Sequence, residues 1–323
     1  MPAPSACEAP AIRRGDDHAA SLCQKGAIFT RSPTARFIPL HSPSNTPSPF
    51  ATVAASMTSI YSRAGEGVTY KVNNNAATSY SSGEGITTHI SADNLYKAIE
   101  RAHNTIDNIS KFDVDIFAIL GLRNLSAFMG EVYAASLIAI TDQRYRKNPH
   151  QDGYPDLLLM DRKGKALWNT LDRRNQLRDK APFSPFQNGG IEIKATCGTV
   201  PNDANCRRKG LPGKPIIGEQ RIGVMTSYDW KAHHRNTNNL VGVLWDFIGG
   251  LPRIAAVFFC PTLTVQDWGK IIQPKDGGGN TTSVSIMTRP GVKKMYQHWV
   301  AVRNDDERYA QFLNKKNGGD LIP

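Results

Sequence analysis

Three charged residues stand inside apolar runs of this chain. Asp156 is followed by Leu-Leu-Leu-Met, and Glu192 and Lys194 alternate with isoleucines in Ile-Glu-Ile-Lys. Short apolar runs of this kind predict buried strands, where a charged side chain is costly unless it binds something. In an extended strand, Glu192 and Lys194 point to one face and the isoleucines to the other. The pattern predicts a charged face on an otherwise buried strand.

Residues of these types have a defined chemistry when they converge. Asp156 and Glu192 could hold a hard divalent cation, because Mg²⁺ prefers oxygen ligands and usually keeps several waters. Lys194, one pleat away from Glu192, would then lie beside a bound water. A Lewis acid, an activated water and a cation near the developing charge are what phosphodiester hydrolysis requires.

The helix that precedes both strands carries a further carboxylate. Residues 122–141 place apolar side chains such as Leu125, Met129 and Leu137 at helical spacing, which predicts a helix with a core-facing stripe. Glu131 lies next to that stripe. Two interpretations stay open: an ordinary solvated glutamate, or an additional catalytic carboxylate at the rim of the metal site.

A helix with Gly-Glu131, a strand led by Pro-Asp156 and a strand with Glu192-Ile-Lys194 resemble the PD-(D/E)XK nuclease superfamily, and within it a type II restriction endonuclease. The resemblance covers residues 122–302. It implies that Asp156 and Glu192 bind Mg²⁺, and that Lys194 assists the attacking water. The interval between the two strands is long, so residues 166–188 must form an insertion if Asp156 and Glu192 are to meet.

The resemblance also implies a fold and partners. Strands that alternate with helices point to an α/β class, with a mixed central β-sheet flanked by helices, and the resemblance implies a restriction-endonuclease-like core. A palindromic site in double-stranded DNA would be matched by a homodimer. A cognate DNA methyltransferase is expected in the same system, because the host must protect its own sites.

Local patterns predict the elements around the motifs. Helices are expected in residues 91–120, with Ser91 or Asp93 as the cap, and Gly249-Gly250 suggests a hairpin between two apolar runs. Further predictions are a polar hairpin turn at 160–165, strands at 221–225, 239–247, 253–260 and 282–287, and helices at 264–271, 290–302 and 305–315.

The charge balance favours a polyanionic partner. The chain has 39 Lys and Arg against 28 Asp and Glu, a net charge of +11, which suits DNA binding through released counterions. A solvated basic surface would give the same balance. Candidate DNA contacts in a Gly- and Pro-rich loop and in the polar region 228–239 are Arg207, Arg208, Lys209, His233, Arg235 and Asn236.

The first 56 residues are rich in Ser, Pro, Ala and Thr and lack apolar periodicity, so a disordered or misassigned extension is expected before Met57. A single nuclease domain is expected over residues 57–323. The apolar runs are too short to cross a bilayer, and five cysteines without paired spacing suggest neither a disulfide framework nor a zinc cage. These features favour a cytoplasmic protein.

The sequence favours a Mg²⁺-dependent, site-specific endodeoxyribonuclease. Two alternatives stay open. One is a repair or junction-resolving nuclease on the same fold, which would cut by DNA structure. The other is a DNA-binding module without catalysis, in which the motif residues are incidental.

Overall fold

A central β-sheet organises the computed structural model of this chain, which describes residues 58–62, 68–76, 79–82, 85, 87–233, 235–273 and 284–323. These residues belong to the compact unit Ala54–Pro323. The expected extension over residues 1–56 and the question of Met57 lie outside the described residues.

The strands are β1 Thr58–Ser62, β2 Thr69–Asn73, β3 Ser79–Ser81, β4 Thr87–His89, β5 Tyr145–Lys147, β6 Leu157–Leu159, β7 Gly190–Thr196, β8 Lys231–Ala232, β9 Leu240–Ile248, β10 Leu251–Cys260, β11 Trp268–Ile272, β12 Val284–Met287 and β13 Trp299–Arg303. The helices are α1 Ala92–Ile109, α2 Ile116–Ile140, α3 Arg162–Arg173, α4 Asp203–Arg208, α5 Arg289–Gln297 and α6 Arg308–Asn317, and a 3-10 turn covers Val265–Asp267.

Eight of the described strands form the main sheet, in the order β1-β2-β13-β10-β9-β7-β6-β5. Strands β7 and β9 run parallel, and the other neighbours are antiparallel. Smaller sheets join β11, β12 and β8, and β3 and β4. The α/β class with a mixed sheet flanked by helices is therefore confirmed.

The β9–β10 hairpin supplies the centre of this sheet. Its turn residues Gly249 and Gly250 have φ values of 61° and 78°, the left-handed pair that a two-residue hairpin turn requires and that glycine adopts without strain. The paired strands are apolar on both faces and almost wholly buried. The hairpin prediction is confirmed.

Helices cover both faces of the hairpin. Val243 and Val257 point into the core shared with α1 and α2. Leu244 and Phe258 point to the opposite face, into the core shared with α5 and α6. The central strands are therefore buried on both sides, which explains why they are continuously hydrophobic rather than alternating.

Two predicted helices form where their patterns place them. Ser91 caps α1, and its Oγ accepts a hydrogen bond of 3.0 Å from the backbone N–H of Asn94. Helix α2 contains the predicted segment and begins earlier, with a break at Gly121, whose φ of 64° and ψ of 162° are not helical. None of the described helices is both long and apolar enough to span a bilayer.

Several local predictions were wrong, because packing between distant segments decided the conformation. Residues 160–165 start α3 instead of a hairpin, residues 221–225 form turns, and the segment 264–271 splits into a 3-10 turn and β11. The segment predicted as one helix over 290–302 ends at Gln297, since residues 299–303 are buried as β13 at the sheet centre. Strand β12 and helix α6 match their predictions within a few residues.

Candidate active site

Strand pairing brings the two candidate carboxylates together. Strand β6 lies antiparallel to β7, with Leu157 opposite Ile191 and Leu158 opposite Gly190. Asp156 immediately precedes β6, so it lies beside Glu192 on the neighbouring strand. Glycine is needed at position 190 because a Cβ there would lie 1.9 Å from the carbonyl oxygen of Leu157.

Hydrogen bonds fix the carboxylates to each other's strands. The backbone N–H of Asp156 donates to Glu192 Oε2 over 3.1 Å. In return, the backbone N–H of Ile193 donates to Asp156 Oδ2 over 2.8 Å. Each carboxylate is therefore held by the strand that carries the other, which limits how far either can move.

Lys194 lies between the two carboxylates. Its Nζ is 2.5 Å from Glu192 Oε1 and 3.3 Å from Asp156 Oδ2. The side chain of Glu192 is 6 % exposed, whereas those of Asp156 and Lys194 are 32 % and 22 % exposed. The site thus has a buried inner carboxylate and an outer edge open to solvent.

Burial and mutual charge shift the ionisation of this cluster. Burial raises the pKa of Glu192 to about 7, with Asp156 adding to the rise and Lys194 opposing it. Burial lowers the pKa of Lys194, but the negative charges of Glu192 and Asp156 outweigh that effect and raise it overall. Strongly perturbed ionisable groups in a cleft are typical of functional sites.

The cluster opens into a cleft of about 550 Å³. Its polar lining includes Asp156, Lys194, Glu131, Lys147 and His150. Glu131 on α2 is ion-paired with Lys147 on β5, and both side chains are more than half exposed. The structure thus brings Glu131 into the same cleft, where it lies at the open side and forms an ion pair with Lys147.

Asp156 and Glu192 are the residues that could hold a magnesium ion. Among the described residues, no group of three or more His, Cys, Asp and Glu side chains could hold a metal. Two carboxylates meet at Asp156 and Glu192, and Mg²⁺ is usually bound through one or two carboxylates with waters completing the octahedron. The ammonium of Lys194 supplies positive charge between those carboxylates in the present arrangement.

The long interval between the motif strands does not prevent Asp156 and Glu192 from meeting. Residues 162–173 form α3, and the following loop returns to β7 with Phe183 and Phe186 buried against Leu158. Asp161 caps α3 by accepting a hydrogen bond of 2.8 Å from Gly164 N–H. The insertion therefore packs as its own small cluster, and the pairing of Asp156 with Glu192 does not depend on a short hairpin.

The candidate DNA-contact residues lie outside this cleft. Arg207 and Arg208 belong to α4, and Lys209 follows it, where a loop alone was predicted. All three are exposed, and Arg208 and Lys209 line a second, more open cleft of about 570 Å³.

The other candidates lie between β8 and β9. His233 and Asn236 are exposed there, and Arg235 is half-buried and donates a hydrogen bond of 3.0 Å to the carbonyl of Val265. These residues do not join the acidic cluster, but their loop approaches it through Tyr154.

Sequence reasoning missed Lys147, Asn148 and Tyr154. The backbone N–H of Asn148 donates to the carbonyl of Asp156 over 2.9 Å, and its amide donates to the carbonyl of Pro155 over 3.0 Å. Tyr154 stands inside the Gly-Tyr-Pro-Asp motif, so its place in the motif was an available signal. Lys147 and Asn148 carried no such signal in the sequence, because their place near the site depends on the pairing of strand β5 with β6.

No protein-family model matches the chain, and no curated protein and no solved structure is significantly similar to it. The resemblance to the PD-(D/E)XK nucleases therefore rests on the helix with Glu131 and on the motif residues Asp156, Glu192 and Lys194, and it stays a prediction.

Proposed function

We propose that the protein is a Mg²⁺-dependent endonuclease that hydrolyses phosphodiester bonds of double-stranded DNA in the manner of a type II restriction enzyme. The observation that carries the proposal is the convergence of Asp156, immediately before β6, with Glu192 and Lys194 on β7, beside an open cleft that Asp156 and Lys194 line. Structural ion pairs also exist in cores, but this one faces a cleft large enough for a phosphodiester.

Each residue has a task in this reaction. Bound Mg²⁺ would supply a Lewis acid and a water acidic enough to attack phosphorus. Asp156 and Glu192 would hold the ion, which requires Glu192 to be ionised. Lys194, whose ammonium lies close to both carboxylates, would orient the attacking water by hydrogen bonding and offset the charge that develops on the phosphoryl oxygens.

The surrounding molecule suits this substrate. The net charge of +11 favours association with DNA, largely through released counterions. Under this proposal residues 122–302 form a restriction-endonuclease-like core. If the acidic cluster of each protomer cuts one strand, a homodimer on a palindrome would cut both, and a cognate methyltransferase would protect the host.

Digestion of a sequenced plasmid with Mg²⁺ or with EDTA tests the proposal. We expect discrete fragments with Mg²⁺ and none with EDTA, and mapping of the ends gives the site. Asp156→Ala, Glu192→Ala and Lys194→Ala should each lower the rate by at least roughly 100-fold, as loss of a charge-stabilising group does. Each variant should still unfold cooperatively.

Asp152→Ala is a matched control, because Asp152 lies four residues before Asp156 and its side chain is 79 % exposed. Near-normal cutting by the Glu192 variant would falsify the site. Cleavage only at junctions or damaged DNA would favour a repair nuclease, and binding without any cleavage would favour a non-catalytic DNA-binding module.

A further inference from the structure

The loop between β8 and β9 is attached to strand β7 and to the segment that precedes β6. We refer to residues 235–239 as the tethered loop. At its end, the carbonyl of Asn239 accepts a hydrogen bond of 2.9 Å from the backbone N–H of Glu192. The Asn239 amide donates to the carbonyl of Gly190 over 3.3 Å. The loop therefore ends in direct contact with the strand that carries Glu192 and Lys194.

Tyr154 ties the same loop to the segment that carries Asp156. Its hydroxyl donates to Asn238 Oδ1 at 3.0 Å or to the carbonyl of Asn236 at 3.3 Å, and accepts from Asn238 N–H at 3.4 Å. Tyr154 is two residues from Asp156, a span of at most about 7 Å.

A third anchor fixes the far side of the loop. The indole N–H of buried Trp268 donates to the carbonyl of Thr237 over 2.9 Å, and Thr237 itself is fully buried. Arg235 donates to the carbonyl of Val265. The backbone is held on both sides, while the side chains of Asn236 and Asn238 are exposed.

The two exposed amides are not equivalent. The carbonyl oxygen of the Asn238 side chain already accepts from Tyr154 and from Asn239 N–H at 2.9 Å. Only the NH₂ group of Asn238 is then left to face a ligand. Asn236 instead accepts a hydrogen bond from Tyr154 through its backbone carbonyl. The side-chain amide of Asn236 is not used in that contact, so it presents a donor and an acceptor side by side. That pair matches the N7 and N6 groups of adenine in the major groove.

We propose that the tethered loop reads the base pairs beside the bond that is cut, with Asn236 contacting an adenine and Tyr154 acting as a positioning residue that couples the loop to Asp156. This inference rests on the proposed function and names its specificity determinants. A nucleotide step is about 3.4 Å along each strand. The loop is hydrogen-bonded to Glu192 and to Tyr154, two residues from Asp156, so it is placed to contact bases within a few steps of a phosphate that reacts at this cluster.

The experiment cleaves a library of duplexes randomised around the mapped site and sequences the products. Asn236→Ala should lower the preference for adenine at one position by roughly 10- to 100-fold, and leave the preferences at distant positions unchanged. Tyr154→Phe keeps the ring and should relax the same position. The double variant should relax it no further than the single variants, because the two residues act on the same base pair.

Asn108→Ala is the control, since Asn108 is an exposed asparagine on α1, which packs on β2, β10 and β13 rather than on β6 and β7. Suppose that the wild-type protein cleaves specifically and that the Asn236 and Tyr154 variants keep the same base preferences at every position. That result overturns this inference and leaves the proposed function standing. Wild-type cleavage without sequence preference overturns both this inference and the site-specific part of the proposed function. A wild-type protein that cleaves no DNA overturns the proposed function, and the inference with it.

Discussion

Glu192 is the most constrained carboxyl group of the site. It is buried beside Asp156, accepts that residue's backbone N–H and pairs with Lys194, and its pKa is raised to about 7 mainly by burial. If Mg²⁺ binds here as proposed, it binds the ionised form of Glu192, so protons and Mg²⁺ compete for its oxygens.

The affinity for Mg²⁺ should therefore depend on pH. Below about pH 7, each unit of acidification should raise the Mg²⁺ concentration needed for half-maximal cleavage by roughly tenfold, because one proton must leave Glu192. Above pH 7 the dependence should flatten. Titrations of Mg²⁺ at pH 6, 7 and 8 measure this, and equal midpoints at all three values would contradict it.

The free energy of unfolding without metal should fall as the pH rises, whereas the affinity for Mg²⁺ should rise. The pKa of Glu192 is higher in the folded chain than its ordinary value of 4.5, so the folded state holds this proton more tightly than the unfolded state. The stabilising effect of protonated Glu192 on the folded state is present below pH 4.5 and is lost as the pH rises through about 7. Urea unfolding without metal should show this loss. Glu192→Gln should remove that component, and an identical pH profile in the variant would refute the assignment.

Glu131 lies at the open side of the same cleft, paired with Lys147, and both side chains are largely exposed. Glu131→Ala should therefore retain cleavage within about tenfold of wild type, since an exposed ion pair contributes little. Single-turnover rates at saturating Mg²⁺ measure the effect, with Glu131→Gln as the isosteric control. Inactivity as deep as that of Glu192→Ala in a folded protein would make Glu131 a metal ligand.

At the scale of elements, the insertion between the motif strands is a small packed unit. Asp161 accepts hydrogen bonds from Gly164 N–H at 2.8 Å and from the Asn188 amide at 2.9 Å. It thereby caps α3 and joins the residue before that helix to the end of the insertion. Residues Leu158, Phe183 and Phe186 fill the space between them.

Asp161→Ala should lower the free energy of unfolding by about 1 to 2 kcal/mol, the usual effect of losing an N-cap. Asp161→Asn keeps a capping oxygen and should lose less. Asp172→Ala on the exposed surface of the same helix is the control. Chemical denaturation of the three variants measures these differences, and equal stability of Asp161→Ala and wild type would show that the cap is not needed.

At the scale of the whole molecule, the basic residues are spread beyond the acidic cluster. Arg207, Arg208 and Lys209 are exposed on and after α4, beside a second cleft. The same strand, β7, carries Glu192 and Lys194 and then leads towards α4 within a few residues. If DNA binds in the first cleft as proposed, these three residues are candidates for contacts with the flanking phosphates.

Replacing Arg207, Arg208 and Lys209 together by Ala should weaken DNA binding and flatten its salt dependence. The slope of log K against log salt should fall by about 0.9 for each phosphate that the variant no longer neutralises. Anisotropy titrations in Ca²⁺, which suppresses hydrolysis, give both quantities. Lys315 and Lys316 near the end of α6 serve as a control pair of exposed lysines. An unchanged slope in the triple variant would exclude these residues from the interface.

The sequence by itself determined the local features. Charged residues inside the apolar runs around Asp156 and Glu192 predicted a buried polar site, because only a specific partner offsets such burial. The glycine pair at 249 and 250 predicted the hairpin, since few other residues adopt two successive left-handed conformations. Helix caps such as Ser91 could also be predicted, because a cap is an interaction between near neighbours in the chain.

Only the tertiary structure decided what depends on distant partners. Residues 299–303 form a strand because β2 and β10 lie on either side of them, and no local pattern encodes those neighbours. Lys147 and Tyr154 join the site through a strand pairing and a hydroxyl hydrogen bond with remote segments. The shifted pKa of Glu192 has the same origin, because desolvation and the nearby charges exist only after strands β6 and β7 have paired.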